Sequence, residues 1–277
     1  MNTVELVLGA GGVKGYFHIG LLKAVEELEI EVSMVTGVSV GSIIAAFYTN
    51  GMTSDQILKL FLEAHEKSGN PLLLANAVVM PDWASFMVGR SFLSLERPWQ
   101  ESVKKLGLTP NQRLRIVACD ARTHHPVVFT GEDYNLGSAL SASGSLPGVF
   151  LPVHHGDMLL IDGAAYHRNP DEFCKEVAII SALGFANKWP KELLDPMSLY
   201  YHWREMSMPL VPQPTKVDTV RNVLVDHRAD DICGLSFSLP VKRCMEMYDN
   251  GYKHGFAVLS KAIADGKIHG KAPMTNQ

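Results

Sequence analysis

The amino-acid sequence predicts an α/β fold in which a mostly parallel sheet is covered by helices. Two observations within the first fifty residues carry this prediction. The apolar run Val4–Leu8 ends in a glycine turn, and apolar residues then recur at near-helical spacing up to Leu28. The short apolar run at residues 34–36 meets a second glycine turn, which the apolar segment 43–48 follows. Two strand–turn–helix units in succession favour parallel strands with helical connections.

Further elements follow in order along the chain. Thr53 and Gln56 form a capping box for one helix, and Ser94 begins another. A long apolar pattern near the end of the chain predicts one or two closing helices at residues 245–268. Apolar runs rich in β-branched residues predict four more strands, at residues 114–119, 127–129, 158–161 and 177–180.

The length of 277 residues is compatible with one large α/β domain or two small ones. Because no repeat, linker or low-complexity segment divides the chain, we expect one domain, with its motifs at about 4–180 and a helical part at about 190–277. Two aromatic segments allow several interpretations. Residues 70–92 form a lid or a capping subdomain, and residues 189–214 line an acyl groove, touch a lipid surface or belong to the core.

Composition excludes several classes of protein. Lysine and arginine number 25 and aspartate and glutamate 29, and this net charge of −4 is spread along the chain, so we expect no nucleic-acid partner. No basic segment followed by an apolar one begins the sequence, so we expect no signal peptide and a cytoplasmic protein. The uncharged stretch at residues 135–153 is broken by glycine and proline and cannot span a membrane. The four cysteines lack metal or disulfide spacing and are interpreted as buried thiols.

Residues 37–41 fit the G-x-S-x-G pattern of a nucleophile elbow between a predicted strand and a predicted helix. A serine held in such a strained turn brings the residues two positions away too close to the sheet for a Cβ atom, which explains Gly37 and Gly41. Ser39 is therefore the candidate nucleophile. It is expected at the carboxyl end of the sheet and at the N-terminus of a helix, where developing negative charge is favoured.

The glycine-rich loop at residues 9–15 is the candidate oxyanion hole. It follows the first strand, so it should lie at the same edge of the sheet as Ser39, with free N–H groups at a helix start. Two alternatives stay open: a tight turn that needs left-handed backbone, or a dinucleotide-binding loop, which Gly9, Gly11 and Gly15 imitate. Lys14 lies in the first turn of the helix, where a cation opposes the helix dipole, so a role other than helix stability is expected.

The proton acceptor for Ser39 is less well defined. Asp120 and Asp162 both follow apolar strands, and position alone does not choose between them. Histidine is the usual partner of a serine nucleophile, yet no histidine has a spacing that assigns it this role. The available ones are His124, His125, His154, His155 and His167. Because the H-E-x-x-H pattern is absent, a zinc site is not predicted.

Four sequence motifs follow one another along the chain. They are residues 8–15 with the following His18-Ile19-Gly20, residues 37–41, residues 141–152, and Asp162-Gly163-Ala164. Together they resemble the bacterial members of the patatin-like phospholipase family, over residues 4 to about 170. The resemblance implies a three-layer α/β fold whose central, mostly parallel sheet is flanked by helices.

The resemblance also implies roles for individual residues. Ser39 is the nucleophile and Asp162 its base, in a dyad without histidine. The oxyanion site consists of the backbone amides of Gly11, Gly12 and Val13 with Lys14 nearby. Because an ordinary aspartate is a weak base, we expect burial to raise its pKa or a short hydrogen bond to Ser39 to assist. Two departures from the family pattern are Ala10, where glycine is more frequent, and Gly-Ala after the aspartate, where Gly-Gly is equally common.

The implied activity is hydrolysis of lipid acyl esters through an acyl-enzyme, of phospholipase A or lysophospholipase type. No metal ion or organic cofactor is implied, and the lipid substrate favours peripheral contact with a membrane. Three rival functions are an α/β-hydrolase esterase with a Ser–His–Asp triad that uses His167, a nucleotide-binding protein that uses residues 9–15, and a catalytically silent lipid-binding scaffold. The sequence does not specify the head group, the acyl length or the oligomeric state.

Overall fold

The structure is a computed structural model, and it describes residues 3–68, 94–184, 188, 217–227, 231–236 and 239–271. Within these residues the strands belong to one sheet. They are β1 (Val4–Leu8), β2 (Val32–Val38), β3 (Leu114–Asp120), β4 (Pro126–Thr130), β5 (Val153–His155), β6 (Met158–Asp162), β7 (Ala178–Leu183) and β8 (Val223–His227). The strand order is β5–β6–β3–β2–β1–β7–β8, and β4 pairs with β3.

Helices connect the strands and supply about half of the residues of the main apolar cluster. They are α1 (Gly15–Glu27), α2 (Val40–Thr49), α3 (Ser54–Ser68), α4 (Glu96–Leu106), α5 (Leu136–Gly144) and α6 (Val241–Ala264). Apolar side chains from each of them join one cluster with the sheet residues Leu6, Leu8 and Ile116. A smaller cluster on Val7 and Ile180 includes Cys174. The mostly parallel sheet flanked by helices confirms the predicted fold class.

The pairing of β3 brings the ends of β2 and β6 together. Strands β1, β2, β3, β7 and β8 run parallel, so their carboxyl ends share one edge of the sheet. Strand β3 pairs with β2 up to Val117, opposite Val38, and its next residue, Ala118, lies opposite Asp162 of the antiparallel β6. Strand β6 therefore continues along β3 where β2 ends. The residue that follows β2, Ser39, and the last residue of β6, Asp162, become neighbours.

The C-terminal helix α6 is packed closely against α1. A Cβ atom on Gly20 would overlap the Tyr248 carbonyl oxygen, and one on Gly251 would overlap the Phe17 carbonyl oxygen. Glycine at these positions lets the two helix backbones approach each other. The C-terminal part was expected to be helical, but it also supplies the strand β8, whose Val223 and Val225 are buried.

Most predicted elements are present, with some differences in extent. Strand β2 is longer than the predicted residues 34–36, and α5, β5 and β8 were not predicted. The two aromatic segments, residues 70–92 and 189–214, lie outside the described residues, so their predicted roles stay predictions. No helix in the described part of the chain is both long enough and apolar enough to cross a membrane.

Candidate active site

Ser39 lies in a strained turn between β2 and α2. Its φ of 55° and ψ of −125° place a non-glycine residue in a sparsely populated backbone region. The Ser39 carbonyl accepts hydrogen bonds from the Ser42 amide and hydroxyl, at 2.9 and 2.6 Å. The Ser39 amide donates to the hydroxyl of Ser143 in α5, at 2.9 Å. The strained conformation is thus held by contacts from two helices.

The two glycines of the elbow fit spaces that exclude a side chain. A Cβ atom on Gly37 would lie 2.6 Å from the amide nitrogen of Ser42, inside the turn. A Cβ atom on Gly41 would overlap the Leu8 carbonyl oxygen and lie 2.9 Å from the Gly9 carbonyl oxygen. The start of α2 therefore rests directly on the end of β1, and the elbow and the glycine-rich loop are adjacent.

Asp162 is buried, with 2% of its surface exposed. Its carboxylate accepts a hydrogen bond from the Ala164 amide at 2.9 Å, and it lies close enough to the Ser39 side chain for that side chain to affect its pKa. Burial raises the pKa of Asp162 to about 6, although the Ala164 amide, the Ser39 side chain and the charge of Arg168 act in the opposite direction. The carboxylate is therefore a better base than an ordinary aspartate, and it is in contact with the candidate nucleophile.

Asp120, the alternative base, is engaged elsewhere. Its carboxylate accepts hydrogen bonds from the Thr123 hydroxyl at 2.8 Å and the Arg122 amide at 3.2 Å. These bonds, led by the one from Thr123, hold the pKa of Asp120 below its ordinary value. The aspartate stabilises the turn after β3. The structure therefore places Asp162 beside Ser39. Sequence position alone did not choose between the two aspartates.

The glycine-rich loop presents two backbone amides without a protein acceptor in the described residues, those of Gly11 and Gly12. The Val13 amide donates to the Gly234 carbonyl at 2.7 Å, and the Lys14 amide donates to the Gly11 carbonyl at 3.2 Å. Of the three amides expected in the oxyanion site, Val13 is therefore already engaged. Gly11 and Gly12 are the remaining candidate donors.

Protein atoms occupy the space beside each glycine of this loop. A Cβ atom on Gly9 would overlap the Asn169 side chain, and one on Gly15 would lie 2.6 Å from a methyl group of Val40. A Cβ atom on Gly11 would overlap the Leu183 side chain. Close packing within the protein therefore explains these glycines, and the dinucleotide fingerprint is not needed to account for them.

The Lys14 side chain is buried and donates a hydrogen bond from its ammonium group to the Gly184 carbonyl, just beyond β7. This contact ties the glycine-rich loop to a neighbouring strand. Lys14 ends a short 3-10 turn and directly precedes α1, and its carbonyl partner satisfies the ammonium group that burial removes from water. The structure places Lys14 next to the predicted oxyanion site, with its ammonium group bound to the main chain.

Two buried residues that support the loop were not singled out as site residues from the sequence. His18 contacts the Gly9 carbonyl through Nε2 at 2.8 Å and the Ser181 hydroxyl through Nδ1 at 2.7 Å, and burial lowers its pKa to about 4. Arg168 donates to the Ala10 carbonyl at 2.9 Å, and its own carbonyl accepts from the Ala10 amide at 3.1 Å. Arg168 therefore contacts the loop and also acts on the charge of Asp162.

His167 belongs to a different cluster, with Asp171 and Glu172. Their ligand-type atoms lie within 4.8 Å of one another, the one such group in the described ranges that could hold a metal ion. His167 Nδ1 is already hydrogen-bonded to Glu172 at 3.1 Å, and Asp171 accepts from the Asn222 side chain at 2.9 Å. Each of these side chains already has a hydrogen-bond partner, and we assign no metal to them. Within the described residues, the contacts of Ser39 and Asp162 do not involve His167.

Residues 6–172 match the sequence model of the patatin-like phospholipase family. The chain belongs to the patatin-like phospholipase family. In the patatin-like domain the matched region contains Ser39, Asp162 and the glycine-rich loop. The predicted family is thereby confirmed, whereas the predicted bacterial type stays a prediction.

Several known proteins are similar to this patatin-like chain. Patatin-like phospholipase domain-containing protein 6 of Mus musculus is 29% identical over 180 residues, which are 64% of this chain and 13% of the relative. Neuropathy target esterase sws of Drosophila melanogaster is 51% identical over 47 residues, 17% of this chain and 3% of the relative. This chain therefore spans a small part of the length of either relative.

Among solved structures, VipD from Legionella pneumophila matches with a TM-score of 0.56 and 12% identity, over 94% of this chain and 67% of that one. At this level of identity the match concerns the fold. It agrees with the mostly parallel sheet and flanking helices described above.

Proposed function

We propose that this protein is a serine acyl hydrolase of lipids, of phospholipase A or lysophospholipase type. One observation carries the proposal: the strained Ser39 lies close enough to the buried Asp162 for its side chain to act on that carboxylate, whose pKa burial raises to about 6. Membership of the patatin-like phospholipase family supports a lipid ester as the substrate.

The proposed reaction begins when Asp162 accepts the proton of Ser39 Oγ as this oxygen attacks the carbonyl carbon of the acyl ester. The amides of Gly11 and Gly12 stabilise the negative charge on the substrate oxygen. Asp162 then returns the proton to the leaving alcohol, and the acyl group remains on Ser39. A water molecule, deprotonated by Asp162, attacks this ester, and Asp162 returns the proton to Ser39 Oγ as the fatty acid is released.

The first test is covalent labelling of Ser39 with a fluorophosphonate probe, together with hydrolysis of a panel of phospholipids, lysophospholipids and neutral lipids. We expect the wild-type protein to be labelled and to release fatty acid, and Ser39→Ala to do neither. A wild-type protein that is not labelled contradicts the proposal and supports the silent lipid-binding scaffold.

A second set of variants separates the dyad from the triad. We expect Asp162→Asn to lose hydrolysis, and Asp120→Asn and His167→Gln to retain it. If His167→Gln is inactive but folded, the Ser–His–Asp mechanism is supported instead.

For location we propose the cytoplasm. We also propose peripheral contact with a membrane, because a lipid substrate resides in membranes. Sedimentation of the protein with phosphatidylcholine vesicles measures that contact.

A further inference from the structure

Ser143 lies in the last turn of α5 and is completely buried. Its hydroxyl accepts a hydrogen bond from the Ser39 amide at 2.9 Å and donates one to the Val117 carbonyl at 2.8 Å. A hydroxyl has a single hydrogen, and donating it to Val117 directs the oxygen lone pairs elsewhere. The contact with Val117 therefore orients the acceptor that holds the Ser39 amide.

The Ser143 hydroxyl lies where the pairing between β2 and β3 ends. Val117 is the last residue of β3 that pairs with β2, and Ser39 is the first residue after β2. The Ser143 hydroxyl thus connects an amide and a carbonyl of neighbouring strands at the point where direct pairing stops. It satisfies both groups while the chain at Ser39 turns into a strained, sparsely populated conformation.

The same end of α5 also holds the proposed base. The Asp162 amide donates to the Ser145 carbonyl at 2.9 Å, two residues beyond Ser143. One short segment therefore contacts the backbone of both Ser39 and Asp162. Because the two reacting side chains extend from these backbone positions, the segment defines their separation.

We propose that Ser143 is a positioning residue for the reaction of Ser39. Its hydroxyl, fixed by the Val117 carbonyl, holds the Ser39 backbone in the turn from which the serine oxygen reaches Asp162. Ser143 does not contact the substrate. The inference rests on the proposed hydrolase function, because it assigns Ser39 as the nucleophile.

The test compares Ser143→Ala with Ser141→Ala. Ser141 is equally buried in the same helix. Its hydroxyl lies within hydrogen-bond distance of two carbonyl acceptors, those of Gly137 at 2.7 Å and Leu95 at 3.0 Å, and neither contact involves Ser39. Each variant removes one buried hydroxyl. We expect similar decreases in Tm, whereas only Ser143→Ala lowers kcat for p-nitrophenyl butyrate and the rate of fluorophosphonate labelling, by about tenfold or more with little change in KM.

A third variant separates positioning from stability. Ser143→Thr keeps the hydroxyl but adds a methyl group to a completely buried site, so its Tm should be at or below that of Ser143→Ala. If the hydroxyl positions Ser39, the labelling rate per folded molecule is nevertheless higher for Ser143→Thr than for Ser143→Ala. The order of the rates is then opposite to the order of the stabilities.

The possible outcomes are distinct. If wild-type protein hydrolyses the ester and Ser143→Ala reacts as fast as Ser141→Ala, the positioning role is wrong and the hydrolase function stands. If Ser143→Thr reacts no faster than Ser143→Ala, a role of the hydroxyl is likewise contradicted. If wild-type Ser39 is not labelled and no ester is hydrolysed, the proposed function fails and the positioning role fails with it.

Discussion

The environment of the Asp162 carboxyl group has two features with opposite effects on its charge. It is buried, which favours the neutral form, and it faces a hydroxyl whose proton it must accept in the proposed reaction. The groups that act on it are the Ser39 hydroxyl, the Ala164 amide and the Arg168 charge, and its own charge in turn acts on the Cys119 thiol. The balance of these effects determines the lowest pH at which the base is ionised.

The rate of hydrolysis should therefore depend on pH through Asp162. Since the reactive form is the carboxylate and burial raises its pKa to about 6, we expect kcat/KM to decrease below about pH 6. Arg168 lowers the pKa of Asp162, so Arg168→Met should move the midpoint of this decrease to higher pH. Arg168→Lys keeps a positive charge and should leave the midpoint nearer to that of the wild type.

The measurement is the pH dependence of kcat/KM for a soluble ester in the three proteins. A change in the maximal rate alone, with the same midpoint for Arg168→Met and wild type, would show that Arg168 does not influence the base. Its contacts with Ala10 would then account for any loss of activity.

At the scale of elements, the start of α2 lies directly on the end of β1. A Cβ atom on Gly41 would overlap the Leu8 carbonyl oxygen, a main-chain atom within a buried strand. Gly41→Ala should thus force α2 away from β1 and displace Ser39. We expect a destabilisation of about 1–3 kcal/mol and a loss of fluorophosphonate labelling.

Gly144→Ala is the matched control for this prediction. It introduces the same methyl group into α5, where the nearest atom would be a Leu95 methyl carbon at 3.4 Å. We expect little loss of stability for this variant, because alanine is the better helix former. Equal effects of the two substitutions on Tm and labelling would contradict the explanation given for the elbow.

Helix α5 shows why part of the fold was not predicted. Its sequence is rich in glycine and serine and precedes Pro147, features that indicate loops. The helix nevertheless forms because Asn135 caps it, accepting from the Ser138 amide at 2.9 Å, and because Gly137 lets the chain approach Gln100 of α4. The small residues serve a contact with a distant segment, which local patterns do not reveal.

The residues of the candidate site also differ in whether the local sequence alone identifies them. Ser39 was identified from a local pattern, since the strained turn itself demands the flanking glycines. Sequence position did not distinguish Asp162 from Asp120, so that choice relied on the family resemblance. Asp162 comes close to Ser39 because β6 pairs beside β3, and this long-range pairing cannot be seen in the local sequence. The supporting residues Ser143 and Arg168 act through tertiary contacts, and neither the spacing nor the chemistry of their neighbours in sequence indicates those contacts.

At the scale of the whole molecule, the buried carboxylate lowers the free energy of unfolding at neutral pH. The folded state raises the pKa of Asp162 above its value of 3.8 in the unfolded chain, so folding favours the protonated form. The contribution of this group to stability is most favourable below about pH 4 and is lost as pH rises through about 6. The ionised base that the reaction needs is therefore destabilising.

Asp162→Asn should consequently be inactive and more stable than wild type at pH 8. At about 1.4 kcal/mol per pKa unit, we expect the free energy of unfolding to increase by roughly 2–3 kcal/mol, and the gain to diminish as pH falls below 6. Urea unfolding at pH 8 and pH 5 measures this difference, with the exposed Asp133→Asn as control. A variant that is less stable than wild type at pH 8 would contradict the prediction.

The glycine-rich loop is also held by a contact with residue 234. Gly234 lies beyond the region that matches the family, yet its carbonyl accepts from the Val13 amide, and a Cβ atom on it would lie 2.7 Å from the Gly11 carbonyl oxygen. The contact requires a main-chain oxygen and the absence of a side chain. The shape of the loop therefore depends on the main chain and the missing side chain at residue 234, and this contact places no demand on the side chains of its neighbours in sequence.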